Sequence, residues 1–167
     1  MTGTILVTGA GGFVGGHVCI ALRARGYAVR ALDVSWPPQG PPADERLTAS
    51  VLDEAALRNA AEGCAAIIHA AAIAHLWTRD PADFDRVNVQ GTIRAAQAAR
   101  AAGARLVHVS SYTTLISGPD TPPRTLDETA EVAPEHLLGP YPASKRRAEL
   151  AVMDAVSRGL DGVIVLP

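Results

Sequence analysis

The chain is poor in several residue types, and each shortage excludes a class of protein. Its two cysteines, Cys19 and Cys64, are too few for a disulfide framework and lack metal-ligand spacing, so we expect no metal site. Aromatic residues are 4% and charged residues 19% of the 167 positions, and the net charge of -2 gives no reason to expect nucleic acid as a partner. Because 48% of the residues are apolar, intrinsic disorder is excluded, and the length suits one globular domain over residues 1–167.

Lysine is almost absent, since Lys145 is the one lysine among fifteen cationic residues. Charged residues are also missing from Met1 to Leu22, a stretch long enough to cross a bilayer. Six glycines interrupt that stretch and no cation precedes it, so we interpret it as a Gly-rich turn and not as a membrane span or signal peptide. We therefore expect a cytoplasmic protein without a membrane span.

Apolar runs alternate with longer helical patterns, which is typical of βαβ units that build a parallel sheet. The runs predict six strands at Thr4–Thr8, Tyr27–Asp33, Leu47–Ser50, Ala65–His69, Arg105–Ser110 and Gly162–Leu166. The longer patterns predict helices over Phe13–Arg25, Asp53–Glu62, Pro81–Ala102 and Tyr141–Ser157. The long connection Ser111–Pro140 is typical of an active-site loop. The chain stops at Pro167 directly after a strand, and the sequence leaves open whether it is a fragment, a truncated form or a shortened gene product.

Three glycines, Gly9, Gly12 and Gly15, lie between the first strand and the first helix. Glycines there allow the backbone to approach a pyrophosphate, which the free N–H groups of a helix N-terminus stabilise. Their spacing differs from GxGxxG, and a purely structural turn is the alternative. Asp33, at the end of the second strand, is placed to bind both adenosine ribose hydroxyls and to repel a 2′-phosphate. This favours NAD over NADP, although a carboxylate at this position also suits a turn cap.

Tyr141 and Lys145 are four residues apart, a spacing that places both on one face of a helix. A phenol ionises only near pH 10 in water, but a neighbouring ammonium favours the phenolate and makes a general base. The alternative is a tyrosine and a lysine on a solvent-exposed helix face. Ser110 and Ser111 follow the fifth strand, at the edge of a parallel sheet where ligands bind. Either hydroxyl could therefore polarise a substrate oxygen.

Taken in order, six motifs resemble the extended short-chain dehydrogenase/reductase family, the NAD-dependent epimerases and dehydratases. They are TGAGGFVG (8–15), Asp33, HAAA (69–72), NVQGT (88–92), VSS (109–111) and YPASK (141–145). The segment His75–Thr92 resembles the reductase-like branch that contains hopanoid-associated sugar epimerases, and YPASK resembles the hydroxysteroid dehydrogenase form. The resemblance implies a doubly wound α/β fold with strand order 3-2-1-4-5-6. It also implies a homodimer, because members of this family often dimerise through the helix that contains YPASK.

The resemblance implies a role for particular residues. Ser111, Tyr141 and Lys145 correspond to the catalytic triad, with Ser110 and Thr113 as alternatives to Ser111. Asn88 corresponds to a structural residue that bonds backbone. The residues implied to bind NAD are Gly9, Gly12, Phe13, Val14 and Gly15 at the pyrophosphate, Asp33 at the adenosine ribose, and Ala70, Ala71, Ala72, Tyr141, Lys145 and Pro167 near the nicotinamide.

The chain departs from the family pattern in three ways. Ala49-Ser50 stand where Gly-Asp commonly contacts the adenine, and Tyr112-Thr113 stand where dehydratases have Asp-Glu, which argues against dehydration. The C-terminal half that forms the substrate pocket in extended members is missing from these 167 residues. We therefore expect hydride transfer at a secondary alcohol or ketone of a small molecule. The alternatives are a nucleotide-sugar epimerase with retained NAD and a catalytically silent NAD-binding module, and the substrate itself is not predictable.

Overall fold

A six-stranded parallel sheet organises the chain. The computed structural model describes residues 3–75, 77–117, 125–127 and 129–167. The strands are β1 Thr4–Thr8, β2 Ala28–Asp33, β3 Glu45–Thr48, β4 Cys64–His69, β5 Arg105–Val109 and β6 Gly162–Val165. They lie in the order β3-β2-β1-β4-β5-β6, and every adjacent pair is parallel. The predicted doubly wound topology is confirmed.

Helical segments connect the strands and cover the sheet. They are α1 Phe13–Ala24, α2 Glu54–Ala61, α3 Ala82–Phe84, α4 Gly91–Ala102 and α5 Pro140–Ser157, with a π-helical segment Asp85–Gln90 joining α3 to α4. The prediction of one helix over Pro81–Ala102 is therefore correct in extent but misses the wider turn at its centre. Asp53 caps α2 as expected, because its side chain accepts a hydrogen bond from the Ala56 N–H.

Alternate residues of each strand enter two different cores. Leu6, Ile67 and Leu106 pack on one face against Leu57 of α2 and Val152 of α5. The opposite face carries a smaller cluster around α1, formed by Ile5, Val7, Ala10, Cys19, Val29 and Ala31. Both cysteines are buried as free thiols, as expected for small apolar side chains.

The carboxyl ends of all six strands meet at one edge, since the sheet is parallel throughout. The strand order reverses between β1 and β4, and ligands of open α/β sheets bind in the crevice outside such a reversal. The segments that leave this edge begin at Gly9, Ala70 and Ser110, which are the positions the motifs single out. None of the helices in the described ranges is long and apolar enough to cross a membrane.

Candidate active site

The glycine loop is held in a conformation that other residues could not adopt. Gly9 has φ +69°, and a Cβ on it would lie 2.6 Å from the backbone nitrogen of Ala71. A Cβ on Gly15 would lie 2.1 Å from the Gly9 oxygen, so α1 packs directly on the loop. Gly12 is the N-cap of α1, and no side chain of the described residues caps the helix there. The first N–H groups of α1 are therefore left for an anion, which the helix dipole also favours.

Phe13 and Val14 contribute backbone to this site and direct their side chains elsewhere. The Phe13 side chain is 82% exposed and lies against the His17 ring, with 4.6 Å between the ring centroids. Val14 is also exposed, whereas Gly15 is buried under the loop. Any contact of Phe13 or Val14 with a phosphate would therefore use their N–H groups.

Asp33 faces the glycine loop from the end of β2. Its Oδ2 accepts the Gly11 N–H at 2.8 Å, and its Oδ1 accepts the Val34 N–H at 2.7 Å. The carboxylate is thus a turn cap, the alternative considered from the sequence, and is also fixed against the loop. Oδ1 also accepts the Ser35 N–H, at the longer distance of 3.4 Å, whereas Oδ2 has one partner among the described residues and retains a lone pair for a ribose hydroxyl.

A cleft of about 380 Å³ opens between β1, β2 and β4 at the carboxyl edge. It brings together six of the predicted cofactor residues, namely Gly9, Gly12, Asp33, Ala70, Ala71 and Ala72. Its lining also includes residues outside the predicted set, namely Gly11, Val34, Ser35, Ser50, Val51, Ile73 and Val87. Ser50 and Val51 follow β3 at the same edge, so the parallel-sheet rule could have found them. Val87 comes from the π-helical segment, for which the sequence pattern carries no signal.

The two serines after β5 have different partners. Ser110 is buried, and its hydroxyl donates to Glu149. Ser111 begins the 3-10 turn Tyr112–Leu115, and its Oγ accepts the Thr113 N–H at 3.3 Å and the Thr113 hydroxyl at 2.9 Å. Because Ser111 is the acceptor in both contacts, its own proton remains for a substrate oxygen. Ser110 and Thr113, by contrast, both donate their hydroxyl protons to other described residues.

Tyr141 and Lys145 lie on the first turns of α5, as the spacing predicts. Gly139 precedes the helix with φ +96°, and the half-buried Tyr141 lies in its first turn. Lys145 is only 3% exposed, and its Nζ donates to the Val109 oxygen at 2.7 Å. Burial lowers the pKa of Lys145 to about 8, and the Glu149 carboxylate opposes that shift. The ammonium is therefore held at the end of β5, one residue from the serine pair.

Other predicted residues close the site from the neighbouring strands. Pro167 follows β6, and its oxygen accepts the Tyr112 N–H at 3.3 Å, which attaches it to the serine turn. The Ala70 N–H donates to the Thr8 oxygen at 3.1 Å, so the loop after β4 is fixed beside the glycine loop. The cleft lining does not include Ser111, Tyr141, Lys145 or Pro167. Lys145 is bonded to the last residue of β5, at the same edge of the sheet.

A chain of buried hydrogen bonds runs below the site. Thr92 donates to the Asn88 oxygen at 2.6 Å, so at 3.1 Å from His69 Nε2 it must accept that ring's proton. His69 Nδ1 then accepts the Thr8 hydroxyl at 2.8 Å, which assigns a neutral ring with the proton on Nε2. Burial, followed by the Lys145 charge, lowers the pKa of His69 to about 3. His69 is thus a packed core histidine.

Asn88 joins the loop after β4 to α5. Its Oδ1 accepts the Ile73 N–H at 2.7 Å, and its Nδ2 donates to the Ile73 oxygen at 3.1 Å and to Ser144 Oγ at 2.9 Å. The side chain is almost fully buried, at 1% exposure. Asn88 therefore has the structural role expected of it, and it fixes one wall of the cleft relative to the Tyr141–Lys145 helix.

These features together fit a dinucleotide. Side chains are excluded from the loop at Gly9 and Gly11, where a Cβ would lie 2.6 Å and 2.4 Å from backbone atoms. The loop leads into an uncapped helix N-terminus for a pyrophosphate, and a carboxylate lies where a ribose would follow. Among the described residues, no group of three or more His, Cys, Asp or Glu side chains is placed to hold a metal ion.

Known proteins of the same family match the chain along most of its length. The model of the NAD dependent epimerase/dehydratase family matches residues 5–167. Cinnamoyl-CoA reductase 1 of Oryza sativa subsp. japonica is 37% identical, covering 98% of this chain and 52% of the relative. The 4-hydroxy-2-methyl-3-oxo-4-farnesyl-3,4-dihydroquinoline-1-oxide ketoreductase of Stigmatella aurantiaca is 35% identical, covering 96% and 48%.

A solved structure gives the same picture. The UDP-glucose 4-epimerase of Brucella ovis, determined in complex with NAD, is 30% identical with a TM-score of 0.83, covering 96% of this chain and 50% of that one. The chain thus spans about half the length of the relatives it matches. The resemblance drawn from the six motifs is confirmed. The chain belongs to the NAD-dependent epimerase/dehydratase family.

Proposed function

We propose that this chain binds NAD in the cleft at the carboxyl edge and provides the catalytic residues for oxidation or reduction of a small molecule at a secondary alcohol or ketone. The observation that carries the proposal is Lys145. A nearly buried ammonium, one helical turn after Tyr141, is bonded to the last oxygen of β5 beside Ser111. A charge desolvated to this degree is costly and is expected only where it has a task.

The contacts at the site support the following roles. Ser111 donates its free proton to the substrate oxygen and holds it in place. Tyr141 removes the hydroxyl proton in the oxidative direction, and the Lys145 charge favours the phenolate that this requires. Lys145 also offers ammonium protons to the ribose next to the nicotinamide. The glycine loop and Asp33 hold the two ends of the dinucleotide. Bound NAD supplies the hydride acceptor, and its reduced form supplies the donor.

The comparisons support this class of reaction. Relatives named as a ketoreductase and as reductases match the chain at 35–37% identity. The absence of an Asp-Glu pair after Ser111 argues against dehydration, as the sequence indicates. We therefore propose a net oxidoreductase. Its substrate is a small molecule with a secondary alcohol or ketone, and sugar nucleotides are among the candidates.

Replacement of Tyr141 by phenylalanine tests the proposal. Tyr141→Phe removes only the phenolic oxygen, so turnover of any alcohol, ketone or nucleotide sugar that the chain accepts should fall by about 100-fold or more. NAD affinity, measured by calorimetry, should change by less than about threefold. Tyr27→Phe is the matched control, because Tyr27 lies on the α1 side of the sheet. Normal turnover by Tyr141→Phe would show that another group is the base.

Two alternatives are separated by cofactor behaviour. Copurified NAD without net turnover of added NAD or NADH, together with interconversion of a nucleotide sugar, would establish the epimerase with retained NAD. Tight NAD binding without turnover of any tested alcohol, ketone or nucleotide sugar would establish a silent NAD-binding module. The epimerase alternative is supported by a relative, a UDP-glucose 4-epimerase of Rhizobium leguminosarum bv. trifolii, which is 33% identical over 90% of this chain.

A cytoplasmic homodimer completes the proposal. The groove between α4 and α5 combines small or apolar side chains with polar ones that could pair across an interface. Its lining is Ile93, Ala96, Ala151, Ala155 and Leu160 with Gln97, Arg100, Asp154 and Arg158. Light scattering during size-exclusion chromatography tests it, and a monomer mass at all concentrations up to about 100 μM would contradict the dimer.

A further inference from the structure

Glu149 is a buried carboxylate that has no part in the proposed chemistry. It lies on α5, is 2% exposed, and accepts three hydrogen bonds from side chains. Its Oε1 accepts the hydroxyls of Ser110 and Thr114, at 2.5 Å and 2.8 Å. Its Oε2 accepts Arg146 Nη1 at 2.8 Å. Burial of a charge is costly unless it is paired and hydrogen-bonded, and Glu149 meets both conditions.

The partners of Glu149 belong to two parts of the chain, and one of them connects to a third. Ser110 and Thr114 flank Ser111, so the carboxylate holds the serine turn from both sides. Arg146 lies on α5 and also donates to the Val132 oxygen at 3.1 Å. The segment that precedes α5 is therefore bound to the same buried group.

Lys145 and Glu149 make contact with adjacent residues at the end of β5. Lys145 Nζ bonds the Val109 oxygen, and Glu149 bonds the hydroxyl of Ser110, the next residue. The helix that carries Tyr141 is thereby attached to β5 at two points one helical turn apart. The separation between the serine turn and the helix is set by these two contacts.

We propose that Glu149 is the positioning residue of this site, which holds the Ser111 turn against α5 and places a buried negative charge one helical turn from the Lys145 ammonium. The inference rests on the proposed function, in that Ser111, Tyr141 and Lys145 are taken as the catalytic residues. Glu149 itself touches neither substrate nor cofactor in this arrangement. Its effect is exerted through Ser110, Thr114 and Lys145.

The charged and titratable groups around Lys145 show why the negative charge of Glu149 matters for the ammonium. His69 of β4 and His108 of β5 face the ammonium as neutral rings, because burial lowers the pKa of both far below 7. On α5 itself, Arg146 is a second cation and Glu149 is the anion. Burial lowers the pKa of Lys145 to about 8, and Glu149 is the group that raises it. Removal of the Glu149 charge should therefore let Lys145 lose its proton at a lower pH.

Because Lys145 is the one lysine of the chain, its ionisation can be followed without assignment. The protein is labelled with lysine carrying ¹³C at Cε, and the single lysine resonance is titrated by NMR in the absence of cofactor and substrate. In Glu149→Gln, which retains an acceptor oxygen, the midpoint should fall by about one pH unit. Glu135→Gln, an exposed carboxylate on the segment before α5, should leave the midpoint within about 0.2 unit of the native value.

The turn is tested separately. The Ser110→Ala, Thr114→Val double variant removes both hydroxyl donors and keeps the Glu149 charge. We expect the amides of Thr113 and Thr114, which are bonded to Ser111, to exchange about tenfold faster, with the lysine midpoint shifted by less than about 0.3 unit. A purely structural role of Glu149 would change exchange and leave the lysine midpoint in place.

An unchanged lysine midpoint in Glu149→Gln, or unchanged exchange in the double variant, would overturn the corresponding half of the proposal. If Glu149→Gln does not fold, faster exchange in the double variant supports the positioning role and native exchange contradicts it. Neither measurement uses turnover or NAD. Failure of the proposed function, seen as normal activity of Tyr141→Phe, is therefore distinguishable from failure of this inference.

Discussion

Asp33 performs two tasks with one carboxylate. One oxygen fixes the Gly11 amide and the other fixes the Val34 amide, so the group is oriented before any ligand arrives. Pre-organised acceptors bind more tightly because little rotamer entropy remains to be lost on binding. The same contacts imply that removal of Asp33 would disturb the loop as well as the ribose subsite.

We expect Asp33→Ala to weaken NAD binding by about 10- to 100-fold, the effect of losing hydrogen bonds to a charged group. NADP should lose less or gain, because the repulsion of its 2′-phosphate disappears with the carboxylate. Calorimetric Kd values for both cofactors provide the test. Asp161→Ala is the control, since Asp161 pairs with Arg105 at the opposite edge of the sheet. An equal loss for NAD and NADP would discredit the specificity argument.

The π-helical segment is the element on which the cleft wall depends. It places Asn88 so that one side chain bonds both backbone groups of Ile73 and the hydroxyl of Ser144. The Ser144 hydroxyl in turn donates to the backbone carbonyl oxygen of Tyr141 at 2.7 Å. Three elements near the site, the loop after β4, the π-helical segment and α5, are thus held by one amide.

Asn88→Ala should lower the free energy of unfolding by about 2–4 kcal/mol, because it leaves the partly buried Ile73 N–H and the buried Ser144 hydroxyl without their partner and creates a small cavity. Asn59→Ala, an exposed asparagine on α2, should change it by less than about 0.5 kcal/mol. Urea denaturation followed by circular dichroism measures both. A loss below about 1 kcal/mol in Asn88→Ala would show that the amide contacts are not needed for stability.

Elements with a strong local pattern were predictable, and elements set by distant contacts were not. The β-branched run Thr4–Thr8 is β1 with the predicted bounds. β3 lies at Glu45–Thr48 instead of the predicted Leu47–Ser50, because its polar and largely exposed sequence has no apolar pattern to define its ends. The π-helical turn has no local signal at all, since its residues follow a continuous helical pattern. Its geometry is favoured by Asn88 contacts with residues 15 and 56 positions away.

The candidate site shows the same division. The glycines, Asp33, Tyr141 and Lys145 could be singled out from the sequence because their chemistry is specific to residue type. The glycines and Asp33 also follow predicted strands, and Tyr141 and Lys145 are four residues apart on one helix. The partners of Glu149 were not, because Ser110 and Thr114 are 39 and 35 residues away in sequence. In the sequence Glu149 is one of several carboxylates on predicted helices, and only its burial and its contacts in the folded structure distinguish it from the others.

At the scale of the whole molecule, two buried histidines make the free energy of unfolding depend on pH. Burial, then the Lys145 charge, lowers the pKa of His69 to about 3 and that of His108 to about 2. An unfolded histidine titrates near pH 6.5, so below that pH the unfolded chain binds protons that the native protein does not. The contribution of the two neutral histidines to the free energy of unfolding is therefore complete above about pH 6.5. As the pH falls it decreases by roughly 1.4 kcal/mol per pH unit for each histidine, until the native pKa values are reached.

His108→Leu tests this dependence. Neither ring nitrogen of His108 has a hydrogen-bond partner among the described residues, so an apolar side chain of similar size should raise stability at pH 7 by about 1 kcal/mol. It should also reduce the slope between pH 6 and pH 4 by about half. Urea denaturation across that range measures both effects. His136→Gln, at an exposed position, should keep the native slope, and a native slope in His108→Leu would contradict the assignment.

The π-helical turn also has a consequence for changes in chain length. Such a turn contains one residue more than the α-helix on either side of it requires. Deletion of a single residue between Asp85 and Gln90 would convert the wide turn to regular α-helical winding, so that the helices on either side keep their faces and the residues of the turn itself change theirs. Asn88 would then point away from Ile73 while the helix itself improved. Along this stretch we therefore expect a gap or an insertion to disturb the cleft more than a substitution at an exposed position does.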